Sequence, residues 1–180
     1  MRRLLLFAAT FVFLTVGVAM SRARADGLRD VVRTLGIDDS SEVYEKLTFL
    51  ETDPDSAAKY LVAELKPIRS VVRIPPEQAQ EYKSEVHVIW CIRALRYLFG
   101  IEFTARTRHK FKPDEKERLS EIRFGGGEFA FFGVRMSHDV IYIAPVDTQV
   151  EIIREWNDWC AKTSHKVTSD RMKDFLDWYF

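Results

Sequence analysis

The chain has 180 residues, with 27 basic and 27 acidic side chains and a formal net charge of +0. Four of the basic residues, Arg2, Arg3, Arg22 and Arg24, fall in the first 25 positions with no acid among them, which leaves residues 26–180 with 23 basic against 27 acidic groups, a net of about −4. So mild a charge supplies no positive field, which argues against nucleic acid as the main partner.

Taken in order, the first element is an export signal. Arg2 and Arg3 are followed by an uncharged, mostly apolar run from Leu4 to Met20. Ala23-Arg24-Ala25 then gives the small-x-small pattern of a cleavage site, with Asp26 next. The expectation is a signal peptide over residues 1–25 and a single helix-rich domain over residues 26–180, released outside the cytoplasm. The apolar run is close to the length of a spanning helix, so an uncleaved N-terminal anchor is the alternative. Position 26 is not Cys, which argues against lipid attachment at that site.

Leu28, Val31, Val32 and Leu35 mark one face of a short helix stopped by Gly36. Asp39, with Glu42 three residues on, resembles a capping box, and Val43, Leu47 and Leu50 line the next helix. In Asp53-Pro54-Asp55 the first Asp suits an N-cap, Pro the first helical position and the second Asp the positive helix end. Ala57, Ala58, Leu61, Val62 and Leu65 form that helix's inner stripe. After Ile74-Pro75-Pro76 a long helix is expected from about Glu77 to Phe99, apolar nearly all round in its second half and therefore central. Arg93 and Arg96 are its exceptions, expected at the core's edge or beside a carboxylate.

From Gly100 to Pro145 the period changes to that of strands. Phe129, Phe131, Val134 and Met136, then Val140 to Ile143, flank the turn residues Ser137-His138-Asp139 and predict a β-hairpin. Ile101 and Phe103 suggest a further strand, and Pro113 to Leu119 at most a short charged helix. Arg106, Arg108, His109, Lys110 and Lys112 form a local basic cluster that reads as a solvated loop. Asp147 is the expected N-cap of a helix with Ile152, Ile153, Trp156, Trp159 and Cys160 facing inward. Ser169 is expected to start a last helix carrying Met172, Phe175, Leu176 and Tyr179. The fold class is thus mainly α: helical hairpins around a central apolar helix, with a small β-hairpin insertion (β-containing segment about residues 101–144) before two C-terminal helices.

The stretch from Tyr44 to Leu61, with its apolar first helix, Asp53-Pro54-Asp55 turn and small-residue second helix, resembles a HEAT-type helical hairpin. The resemblance covers one repeat, about Glu42 to Leu65, where three are normally needed for a continuous core. It implies an α-solenoid-like hairpin and a binding role, and carries no catalytic residues.

Candidate chemistry is sparse. Cys91 and Cys160 are an even pair in an exported chain and so a candidate disulfide, although each adjoins a Trp in a helical pattern where buried free thiols are common. Gly125, Gly126 and Gly127 lack the Lys and Ser/Thr of a phosphate loop; with His138 they are a candidate ligand-cleft loop. His87 and Cys91 share a helix face, but two ligands make no zinc site. Neither H-E-x-x-H nor G-x-S-x-G occurs. The reading is an exported, non-catalytic binding protein with a protein partner, no metal and no cofactor. The alternatives are a secreted hydrolase with a dispersed site and a membrane-anchored accessory subunit.

Overall fold

The computed structural model describes residues 23–36, 42–69, 83–106, 108, 128–137, 140–162 and 164–168. The chain is mainly helical. Helix α1 covers residues 23–33, followed by α2 (Val43–Leu50), α3 (Pro54–Ala63) and α4 (Lys83–Phe99). Strands β1 (Thr104–Arg106), β2 (Glu128–Ala130), β3 (Phe132–Ser137) and β4 (Val140–Ile143) lead to helix α5 (Val146–Cys160).

Leu28, Val32 and Leu35 give α1 a buried face, and Gly36 ends the segment at φ +73°, a left-handed conformation that glycine adopts without strain. A Cβ there would lie 1.7 Å from Trp90 Cδ1, so glycine also lets α4 approach. Helix α2 buries Val43, Leu47 and Leu50, one residue per turn. At its start Glu42 provides no side-chain cap, and Asp39 lies outside the described residues. The start of α3 follows the expected chemistry: Asp53 Oδ1 accepts from the Ser56 backbone N–H at 3.2 Å, and Pro54 takes the first turn.

Helix α4 has the most apolar surroundings. Five consecutive residues, Val88 to Ile92, are buried, as are Ala94, Leu95 and Tyr97 to Phe99. A helix buried on consecutive positions is covered on several sides. Helix α3 packs against both α4 and α5, and α5 also meets β1. The two arginines of α4 take different surroundings: Arg96 pairs with Glu102 at 2.8 Å, and Arg93 lies over the Trp90 ring at 5.5 Å.

Strand β1 pairs antiparallel with β2, Thr104 opposite Ala130, and β3 pairs antiparallel with β4, with irregular register around Arg135. Helix α5 starts one residue before the expected cap. Pro145 occupies the N-cap position and Asp147 lies in the first turn, where its Oδ2 accepts from the Arg108 backbone N–H at 2.9 Å. The inward face of α5 is Thr148, Gln149, Ile152 and Trp156; Ile153, Trp159 and Cys160, expected inside, are only half-buried. After α5 the chain turns at Ser164, φ 72°, and runs back so that the Thr168 N–H reaches the Leu98 carbonyl at 2.8 Å. The regions expected to form helices at 113–119 and from Ser169 lie outside the described residues.

Candidate functional site

Three clusters bring together side chains with chemical potential. The first lies between α1, α3 and α4. Helical spacing puts His87 and Cys91 on one face of α4, with the Cys91 Sγ 3.6 Å from His87 Nε2. The carboxylate of Glu64, one residue past α3, stands 3.6 Å from the same nitrogen. On the other side of the ring, Nδ1 is 3.0 Å from the Leu35 carbonyl oxygen. A carbonyl only accepts, so Nδ1 carries a proton and ties α4 to the end of α1. Nε2 then faces two groups with opposite demands: the thiol donates to it, and the carboxylate accepts from it. Cys91 is fully buried, and burial, then the nearby Glu64 charge, push its thiol well above the ordinary range. A thiol held protonated in this way is not a nucleophile.

The second cluster holds the returning segment after α5. Asp55 Oδ1 accepts twice from His165, from its backbone N–H at 2.7 Å and from ring Nδ1 at 2.8 Å. His165 Nε2 lies 3.2 Å from the Trp159 carbonyl oxygen. The ring rests on Trp159, centroids 4.2 Å apart, with Phe99 at 6.1 Å. The hydrogen bond from the His165 backbone, then the one from its ring, lower the Asp55 pKa from its ordinary value. This arrangement uses both imidazole nitrogens to fasten residues 164–168 to α3.

The third is a recess lined by Ile92, Arg96, Glu102, Phe103, Phe131 and Trp156, of about 10 Å³. That is room for about one water molecule, far short of the several hundred Å³ of an organic ligand's pocket. Phe103 and Trp156 pack edge to face across it, centroids 4.7 Å apart.

Among the sequence-derived candidates, Cys91 and Cys160 both carry free thiols, the first buried on α4 and the second half-buried at the end of α5. Gly125, Gly126, Gly127 and His138 lie outside the described residues, as do His109, Lys110 and Lys112 of the basic cluster. Arg108 is exposed and sits 3.9 Å from Glu151. Among the described residues no set of three or more His, Cys, Asp or Glu side chains is arranged to hold a metal ion. No helix among them is long and apolar enough to cross a membrane.

No family model, no curated protein and no solved structure matches the chain. Its chemistry has to be read from its own residues. Sequence reasoning paired His87 with Cys91 because four residues on a helix is a local relation. It missed Glu64, Gln149 and the Asp55–His165 contact, whose partners are 110 residues apart and leave no local signal.

Proposed function

We propose that the chain is an exported, non-catalytic protein that acts by binding another protein. One observation carries the reading. Among the described residues, His87 and His165 tie distant segments together, to the Leu35 carbonyl and to Asp55, and the buried Cys91 thiol lies against His87 on the same helix. A group fastened to the main chain on one side and buried or stacked on the other has little freedom to meet a substrate. Apolar side chains on the outside support a binding role: Val146 and Val150, four residues apart on α5, are 53% and 50% exposed. Such residues gain by being covered by a partner.

The proposed architecture is a set of helices around α4, with the β3–β4 hairpin inserted before α5. The HEAT-like likeness of residues 42–65 fits a binding surface without naming its partner. Export rests on the N-terminal signal pattern. The test is fractionation of cells producing the wild type and a variant with Leu4, Leu5 and Leu6 replaced by Lys. The wild type is expected outside the cytoplasm with Asp26 as its first residue, and the variant inside. Normal export of the variant would refute the signal assignment.

A membrane-anchored accessory subunit is the second reading, because the cleavage motif lies within a helix. Ala23, Arg24 and Ala25 form the first turn of α1.

A further inference from the structure

The position of the cleavage motif bears on when it can be cut. Peptidases take their substrates as extended strands, with several residues on each side of the scissile bond pulled out of other structure. In the folded chain residues 23–33 are helical throughout, so Ala25–Asp26 lies inside regular structure. Three observations hold that turn in place. The Arg24 guanidinium donates to the Thr52 carbonyl at 2.6 Å. Gly27 lies against Phe49, whose Cζ would be 3.5 Å from a Cβ at that position. Leu28, three residues past Ala25, is fully buried in the core. Extending the chain across the scissile bond therefore breaks the Arg24–Thr52 bond and pulls at a core leucine.

We infer that folding of α1 closes the Ala25–Asp26 bond to signal peptidase, so that a chain folding before it is processed keeps its N-terminal segment. This inference rests on the export reading above. It makes release a race: early cleavage yields a free domain, and early folding yields a tethered one. Cleavage before folding does little harm to the domain. The buried face Leu28, Val32 and Leu35 remains on the mature side.

The test uses the full 180-residue precursor in detergent micelles with purified signal peptidase. Cleavage is timed on chain freshly diluted from denaturant and on chain allowed to fold first. The folded precursor should be cut at least about tenfold more slowly, because cleavage then follows the small population with α1 opened. F49A, which removes the ring lying against Gly27 and is remote from the cleavage motif in sequence, should speed cleavage of the folded precursor several-fold without changing the rate on the unfolded chain. Equal rates on folded and unfolded wild-type precursor would overturn the inference and leave the export reading standing. No cleavage of the unfolded chain at Ala25–Asp26 would overturn both.

Discussion

Gln149 makes three hydrogen bonds from one fully buried side chain. Its Oε1 accepts from the Ile68 N–H at 2.9 Å, and its Nε2 donates to the Ile68 and Ala144 carbonyls at 3.0 and 2.6 Å. The 65–69 segment and the chain entering α5 are thereby fixed to one amide. Removing it strands three buried main-chain groups, each of which carries a desolvation penalty. Q149A should lower unfolding stability by about 3 kcal/mol, seen as a lower denaturant midpoint with an unchanged slope. Its place was within reach of the helical period, since Gln149, Ile152 and Trp156 are spaced three and four apart. Polarity hid it, because the inward face was sought among apolar residues. The two cysteines also differ at this scale. Burial raises both thiols, but Cys91 is inaccessible as well, whereas Cys160 is half-buried. A thiol reagent at neutral pH should label Cys160 in the folded protein and Cys91 only after unfolding, as mass measurement of labelled peptides would show.

At the scale of elements, local chemistry was legible and distant partners were not. Helix α3 was readable because Asp53, Pro54 and Asp55 act on their own first turn. The N-cap of helix α5 falls two residues before the expected one, because Asp147, a good cap by type, instead serves the Arg108 backbone from 39 residues away. Asp55 has both roles. It complements the start of α3 and holds the 164–168 segment through His165, a function no local pattern announces. The sign of its pH dependence follows from its lowered pKa. Its contribution is fully present above the ordinary carboxylate value of 3.8 and is lost as the pH falls through the lower folded value. The protection factor of the Thr168 amide, bonded to Leu98, which is its exchange rate corrected for the intrinsic pH dependence of an unstructured amide, should fall on acidification in the wild type. D55N should exchange faster at neutral pH and lose that acid-side dependence. A wild-type exchange rate with no added acid-side opening would remove Asp55 as the fastener.

For the whole molecule, the mainly helical character followed from the period of apolar residues: α2 and α3 bury the faces their spacing marks, and at α1 Leu28, Val32 and the following Leu35 are buried while Val31 is half-buried. The apolar second half of α4 likewise marked the helix with the most enclosed surroundings. What the chain holds together by hydrogen bonds was not legible, because His87–Leu35, Gln149–Ile68 and His165–Asp55 join residues 52, 81 and 110 positions apart. Among the described residues these contacts give His87, His165 and Cys91 structural roles, and the proposed binding role would fall to the surface. Val146 and Val150 can be changed there with little harm to the fold. Both are exposed, and an acid at position 146 lies in the first turn of α5, where the helix end favours it. The most direct measurement is affinity capture from the native envelope fraction with two baits, the wild type and V146D/V150D, matched for thermal stability. The account predicts one envelope protein retained in fixed proportion by the wild type and lost with the double variant. Retention of nothing by either bait, or equal retention by both, would contradict it.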